Sequence, residues 1–367
     1  MQRGHLKKVF PGGNTSEGFY SFYNYIISPE ARRILVIKGG PGVGKSTFMK
    51  YLGEQMLEQG YNVEYHCCSS DNGSIDGVVI PQIGIALIDG TAPHIVDPKN
   101  PGAVDEIIHL GDYWNEEKMR KNKEAILRIN KEVARCFRRA YGYLAQAKLL
   151  NDEIESYYQD SGALNIAGLN KIALELISEI FPGVSAGLIP KERHLFASGI
   201  TPKGPCNYFE TIFNGMNKRY VLTGEPGTGK STIVEKIYRT ALQLGYDVEA
   251  YHCSLVPSKL EHLLIPELGV AIVTSSEPHL YQTNSADTVV NTTDYVNKAA
   301  LSPFQEDLAE AKGRYQSAFD RAVAYIARAK ANHDKLEEYY IPNMDFNKIN
   351  SCREKIYQRI LNYAAEI

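Results

Sequence analysis

The 367-residue chain predicts an α/β protein made of two tandem copies of one domain, each a mostly parallel sheet flanked by helices and carrying a long helical insertion or projection. Three observations predict it. An apolar strand pattern runs into a glycine-rich loop, GGPGVGKST at 39–47, and then into an amphipathic helix. The same passage recurs as GEPGTGKST at 224–232. A shift of about 185 residues superimposes much more than those two loops.

Within each copy the order of elements is legible. RRILVIKGG at 32–40 is a short apolar run ending in glycine, the pattern of a buried strand. After Lys45, the residues Phe48, Leu52 and Met56 recur every fourth position and give a helix one apolar face. VEYHCCS at 63–69 reads as a second strand and GIALIDG at 84–90 as a third. Strand, glycine loop, helix, strand is the opening of a doubly wound sheet. From about Asn115 to Asp160 the chain has no proline and a helical period, and the same pattern returns from Phe304 to Tyr340. A long helix or helical hairpin is expected in each copy, and packing the halves together is its plainest role.

The repeat is a whole domain. Phe10, Gly13, Thr15 and Gly18 fall on Phe196, Gly199, Thr201 and Gly204, and His5-Leu6 can be set against His194-Leu195. GYNVEYHCCS (60–69) falls on GYDVEAYHCS (245–254), and VVIPQIGIALI (78–88) on LLIPELGVAIV (263–273). The late helices correspond too, FRRAYGYLAQAK (137–148) with FDRAVAYIARAK (319–330), and Tyr157-Tyr158 with Tyr339-Tyr340. A boundary is expected in FPGVSAGLIP, giving a first domain at 1–184, a linker at 185–190 and a second domain at 191–367.

Composition narrows the function classes. Hydrophobic residues make up 44% and charged residues 23%, with no low-complexity tract, so folded domains rather than disorder are expected. A formal charge of −3 supplies no global field for gathering nucleic acid or anionic lipid. The opening MQRGHLKKVF lacks the apolar core of a signal peptide, and no run approaches the ~20 apolar residues of a membrane span, so the cytoplasm is the expected compartment. The cysteines at 67, 68, 136, 206, 253 and 352 form no CxxC pair, and reduced thiols are expected.

Both loops satisfy G-x-x-x-x-G-K-[ST], the P-loop pattern, so each domain is expected to be a P-loop nucleoside triphosphatase fold. The glycines let backbone N–H groups turn inward around a phosphate, and the following helix adds the positive end of its dipole. The candidate phosphate contacts are Gly39, Gly40, Pro41, Gly42, Val43, Gly44, Lys45, Ser46 and Thr47 in the first copy. In the second they are Gly224, Glu225, Pro226, Gly227, Thr228, Gly229, Lys230, Ser231 and Thr232. Lys45 and Lys230 would reach the β- and γ-phosphates, and Ser46 and Ser231 would each offer a hydroxyl to Mg²⁺.

The metal also needs an acid. IALID ends in Asp89, at the strand end where such proteins hold Mg²⁺. The matching residue in the second copy is Thr274, so the two sites are not chemically equal. Asp76, aligned with Glu261, and Asp71, which has no counterpart, are candidates for orienting the attacking water; solvated loop acids are the alternative.

Other residues carry weaker expectations. His66-Cys67 and His252-Cys253 are adjacent on a strand and point to opposite faces, which disfavours zinc and leaves pocket lining or a core histidine. The proline-bearing segment 89–106 could hold a ligand or be a pinned surface loop, with His94, matched by His279, as a γ-phosphate sensor. Nine Lys/Arg against two Glu lie between Lys118 and Arg139. Arg135, Arg138 or Arg139, the last aligned with Arg321, could act as an arginine finger or touch a nucleic acid backbone, and a solvated helix face is the plainer reading.

With these residues assembled, the chain resembles a bacterial family of tandem P-loop ATPases within the RecA/KaiC-like nucleoside triphosphate hydrolases. Its members carry an HCSSD-like strand end, an IP-x-x-G-x-A strand and a DGTAPH-x-x-DP-x-x-PGA segment, here His66–Asp71, Ile80–Ala86 and Asp89–Ala103. The resemblance covers nearly the whole chain and implies ATP as ligand and its hydrolysis. The second half departs from it at Thr274 and in lacking the DGTAPH context. The leading expectation is an Mg²⁺-dependent ATPase with two non-equivalent sites, the first being the hydrolytic one. The alternatives are a P-loop kinase acting on a small acceptor held by 89–106, and a nucleotide-gated scaffold without turnover. A nucleoside triphosphate is the expected partner, and neither nucleic acid nor membrane is.

Overall fold

The computed structural model describes residues 2–92, 95–183 and 189–367. The first repeat supplies β1 (Leu6–Val9), β2 (Gly12–Thr15), β3 (Gly18–Ser21), β4 (Arg33–Lys38), α1 (Lys45–Glu58), β5 (Val63–Cys67), β6 (Ile75–Ile80), β7 (Ile85–Asp89), β8 (Asp105–His109), α2 (Glu116–Lys121), α3 (Lys123–Asp160) and α4 (Ile166–Ile180). The second supplies β9 (Glu192–Leu195), β10 (Ser198–Thr201), β11 (Gly204–Asn207), α5 (Phe209–Phe213), β12 (Lys218–Thr223), α6 (Lys230–Gln243), β13 (Val248–His252), β14 (Leu260–Ile265), β15 (Val270–Ser275), β16 (Asp287–Asn291), α7 (Lys298–Leu301), α8 (Gln305–Tyr340) and α9 (Phe346–Ala365). None of the described helices is long and apolar enough to cross a membrane.

Each repeat forms a six-stranded sheet, β1-β5-β6-β7-β4-β8 and its counterpart β9-β13-β14-β15-β12-β16. These sheets are mixed rather than mostly parallel. β6 lies antiparallel to both β5 and β7, and β14 does the same between β13 and β15. Adjacent parallel strands need a crossover of a dozen or more residues. The connections 68–74 and 81–84 are too short for one, so β5, β6 and β7 form a meander. The three-strand sequence pattern passes over β6, and with it the true place of Asp76.

The expected face of α1 packs as its spacing predicts. Phe48, Leu52 and Met56 are fully buried in one cluster with Leu35, Ile37, Val78 and Leu87 of the sheet. The repeats nevertheless do not each keep their own helices. Ile349, Ile356 and Ile360 of α9, from the second repeat, complete the core around α1. Leu169, Ala173, Leu176 and Ile180 of α4, from the first repeat, lie in the core with Ile233, Ile237 and Tyr220 of the second. The sequence division at 184 and 191 therefore separates homologous copies, while the packed cores each draw on both copies. Residues 185–188 of the expected linker lie outside the described residues.

Backbone bridges pin the exchanged segments. The Asn115 N–H donates to Asn343 O at 2.8 Å and the Asp345 N–H to Tyr113 O at 2.9 Å, just before α9. Before α4 the matching pair is Asn165 N–H to Tyr295 O and Asn297 N–H to Ala163 O, both at 2.8 Å.

The two repeats also meet about a local axis. Phe10 and Phe196 exchange backbone hydrogen bonds of 2.9 and 3.0 Å, with both side chains buried. β1 pairs with β5 so that Lys7 faces Glu64, and β9 pairs with β13 so that Arg193 faces Glu249. Lys7 is thus the counterpart of Arg193, and the alignment of His5-Leu6 with His194-Leu195 is displaced. The ion pairs cross between repeats: Arg193 forks onto Glu64 at 2.6 and 3.0 Å, and Lys7 reaches Glu249 at 2.5 Å. Burial by itself would raise the Glu64 carboxyl, but Arg193 and Lys7 outweigh it and hold that group well below its usual value. Glu249 is lowered in the same way, by Lys7 and Arg193 against burial.

Replacing Arg193 by Met should destabilise the fold by about 3–5 kcal/mol at neutral pH, because two buried carboxylates keep one cation between them. A urea midpoint measures this. Both carboxyls titrate lower in the folded state than in the unfolded chain, so their contribution is present above the ordinary glutamate value of about 4 and is lost as pH falls towards the depressed values. The gap between wild type and variant should therefore narrow in acid.

Candidate functional site

The glycine loops are built alike. β4 and β12 each end in the loop, and Gly44 and Gly229 begin α1 and α6 with φ of 90° and 91°, a conformation that only glycine adopts cheaply. No side chain caps either helix. The first-turn N–H groups are therefore left for an anion, at the positive end of the helix dipole.

In the first repeat, Lys45 Nζ donates to the carbonyls of Gly39 and Gly40 at 3.0 and 2.9 Å and lies 3.5 Å from Asp89 Oδ2. Asp89 ends β7, beside the strand that feeds the loop, where Ile37 is its partner. Asp89 accepts the Thr91 N–H at 2.9 Å, and the Thr91 hydroxyl donates to Gly39 O at 3.0 Å. The Ser46 hydroxyl accepts the Ile75 N–H at 3.0 Å, tying the loop to β6. Pro41 to Thr47, Asp71, Asp76 and Asp89 all line one cavity of about 610 Å³. That lies within the 300–1,000 Å³ usual for small-molecule sites. A serine hydroxyl and a carboxylate are hard oxygen donors, a set that suits Mg²⁺. Among the described residues no group of three or more His, Cys, Asp or Glu side chains is arranged for a metal, so a phosphate and water would complete the shell.

Neither candidate acid is a freely solvated loop residue. Asp76 sits on β6, 5% exposed, against the Tyr23 hydroxyl and the Cys68 thiol. Burial, then Asp76, pushes both of these groups well above their usual values. They stay protonated and face Asp76 as donors. Asp71, in the β5–β6 turn, accepts the Gly73 N–H at 3.0 Å and the Ser74 hydroxyl at 3.1 Å, and pairs with Lys330 at 3.3 Å. Burial opposes its ionisation, but the Gly73 N–H and Lys330 hold its carboxyl below the usual value.

The second loop repeats the lysine geometry without the acid. Lys230 Nζ donates to Gly224 O and Glu225 O at 2.6 and 2.7 Å. Thr274 pairs with Leu222 in the register in which Asp89 pairs with Ile37. Its hydroxyl donates to Glu261 O at 2.7 Å and its N–H to His262 Nδ1 at 3.0 Å. Ser231, Thr232 and Glu261 line this cavity, and Thr228 is buried against the Thr292 hydroxyl at 2.7 Å. Burial pushes the Glu261 carboxyl up and lowers the Lys230 ammonium to about 8. The cavity holds about 260 Å³. An ion pair crosses it, Lys259 Nζ lying 2.6 Å from both oxygens of Glu155.

The largest omission of the sequence reading is that each site is walled by the opposite repeat. A Cβ on Gly40 would lie 2.4 Å from the Tyr340 ring, one on Gly42 3.0 Å from Ile341, and one on Gly44 3.7 Å from Phe346. Reciprocally, Gly227 meets Glu155 and Tyr158 at 3.0 Å, and Gly229 meets Leu169 at 2.8 Å. The matched tyrosine pairs Tyr157-Tyr158 and Tyr339-Tyr340 were a sequence signal for this, but a repeat match does not say which copy a helix end visits.

Several weaker expectations resolve differently. His66 is a core histidine with no exposure, lowered by burial. His252 instead hydrogen-bonds His194 at 2.9 Å. His279 does line the second cavity, 3.4 Å from Ser254 Oγ, while His94 lies outside the described residues. The 89–106 segment is pinned at its base by Lys38, which donates to Gly90 O and Val96 O at 2.8 and 2.7 Å. The arginine-finger candidates fail on placement. Arg135 is tied to Glu132 on an exposed face, Arg138 and Arg139 are exposed beside it, and Arg321 lies over the Tyr143 ring.

With this geometry in place, comparison with known proteins adds one local likeness. Residues 20–78, which hold the first glycine loop, α1, β5 and most of β6, are similar to the family described as Nephrocystin 3, N-terminal. No curated protein and no solved structure matches the chain.

The lowered Lys230 value carries a prediction. If the second loop takes up ATP, its affinity in a Lys45→Ala chain should be steady below about pH 8 and fall above it, by up to about tenfold per unit, since a phosphate needs the ammonium form. Titration with a fluorescent ATP analogue reads this, and a flat profile to pH 10, roughly the ordinary lysine value, would contradict it.

Proposed function

We propose that the chain is an Mg²⁺-dependent ATP-binding protein that hydrolyses ATP at its first glycine loop and binds nucleotide, with little or no turnover, at its second. One observation carries the reading: Asp89 stands 3.5 Å from Lys45 at the end of the neighbouring strand, and Thr274 occupies that place in the second repeat.

The chemistry follows from placement. The inward N–H groups of 39–47 and Lys45 would hold the β- and γ-phosphates. Lys45 would leave the carbonyls of Gly39 and Gly40 to do so. Ser46 and Asp89 would hold the magnesium ion, which when bound offsets charge between the two phosphates. Asp76 lines the cavity beside the Tyr23 hydroxyl and the Cys68 thiol, and its carboxylate would orient a water there. Such a water is the nucleophile of hydrolysis. In the second site the residues Lys230 and Ser231 suit phosphate, but the Thr274 hydroxyl is turned to a backbone carbonyl and offers no carboxylate to a metal.

Phosphate release from Mg-ATP tests the reading. Lys45→Ala and Asp89→Asn should each lower turnover by at least about 100-fold, and Lys230→Ala should leave most of it. Turnover unchanged by Lys45→Ala would sink the assignment. Tight ATP binding with no product in the wild type would leave the scaffold reading in its place.

A further inference from the structure

We propose that Lys330, carried by α8 of the second repeat, is a catalytic residue of the first site and supplies, across the repeat boundary, the cation that meets the terminal phosphate. This rests on the ATPase reading above and names a residue that neither the P-loop pattern nor the arginines of α3 provide.

The first cavity is rich in carboxylates. Asp71, Asp76, Asp89 and Glu337 line it, against the three lysines Lys45, Lys50 and Lys330. A nucleoside triphosphate entering this cavity adds several negative charges and must find cations beyond Lys45. Lys50 is held by the Gly73 carbonyl on the turn. Lys330 is different, because its partners are carboxylates: Asp71 at 3.3 Å across the repeat boundary, and Asp334 one turn along its own helix. It is 25% exposed, so part of its hydration is already lost. A γ-phosphate is a more highly charged acceptor than Asp71, and exchanging one for the other costs no new desolvation of the ammonium.

The second site shows that this arrangement is specific to the first. The repeat counterpart of Lys330 is Lys148, which pairs with Asp152 on its own helix. Val256 stands where Asp71 would be, and Lys148 is not among the residues that line the second cavity. Both cavities receive a glutamate from the opposite repeat, Glu337 in the first and Glu155 in the second. In the second that glutamate is held by Lys259 of the second repeat itself. The first also receives Lys330, whereas no described lysine or arginine of the opposite repeat lines the second, which fits hydrolysis at the first and not at the second.

In the step this serves, the water oxygen bonds to the γ-phosphorus as the bond from phosphorus to the β–γ bridging oxygen breaks. The electron pair of that bond leaves with ADP, and the water's proton passes to a carboxylate of the site and then to solvent. Lys330 would sit against the γ-phosphate oxygens as their charge redistributes. A fixed cation there lowers the barrier more than it strengthens ground-state binding.

The test is steady-state phosphate release by the full chain with Mg-ATP. Lys330→Gln should lower kcat by at least about 100-fold with little change in KM, Lys330→Arg should keep a substantial part of the rate, and Lys148→Gln should match wild type. Wild-type kcat in Lys330→Gln, with turnover abolished by Lys45→Ala, overturns the proposal and leaves the ATPase reading standing. No turnover in wild type, or none lost in Lys45→Ala, removes the ATPase reading itself. If Lys330→Gln lowers the melting temperature, Lys330→Met and Lys330→Ala are measured where they remain folded. A selective loss of kcat in them supports the proposal, and wild-type kcat in any folded variant overturns it.

Discussion

The antiparallel pairing of α3 and α8 is the constraint on which the other features depend. Ala140, Leu144, Ala147 and Leu150 meet Ala318, Phe319, Ala322 and Ile326 along one seam, and the alternating small residues let the two axes come close. The 38 residues of α3 span about 57 Å, more than the reach of one domain. Each long helix therefore starts on one repeat and ends over the glycine loop of the other. The short segment after it has no route home, and α4 and α9 dock where they arrive. Burying Ile349, Ile356 and Ile360 contributes roughly 1.5–3 kcal/mol each. Set against a total domain stability of about 5–15 kcal/mol, the helix received from the other repeat is not an accessory.

The same crossing makes the two sites composite and lets them differ. Duplication kept the loop, the lysine contacts to two backbone carbonyls and the glycine at the head of the helix. It did not keep the charges around them. The first cavity has Asp89 at the strand end and a lysine arriving from the opposite helix. The second has Thr274, a partly exposed Glu261 and a salt bridge from Lys259 to Glu155 in its lining. Burial disfavours the charged form of Lys230 and lowers its ammonium, and Glu261, Glu225 and Glu155 oppose this only in part. The repeats are alike in backbone and unlike in electrostatics.

What could be read in the chain was read where the signal is local. The glycine loops, the apolar face of α1, the duplicated order and the strand-end contrast between Asp89 and Thr274 each depend on neighbours within a few residues. β6 escaped because the turns 68–74 and 81–84 join strands without a crossover, and the mostly parallel pattern presumes one. The arginines of α3 were attractive by charge alone, yet they lie on the outer face of the helix. Lys330 and Glu155 escaped because each lines a cavity built on a loop far away in the chain, and nothing in a periodic helical stretch marks the turn that will meet it.

The sequence by itself determined the two glycine loops, since positive backbone angles at Gly44 and Gly229 and a lysine next in the chain are demands met within the segment. It determined as well that the two copies are unequal at one strand end. Only the tertiary structure decided which copy completes which site. An apolar stripe on α4 or α9 does not itself name the core it will fill. The choice is made by the length and direction of the helix that carries it, and those become contacts only when both repeats are folded together.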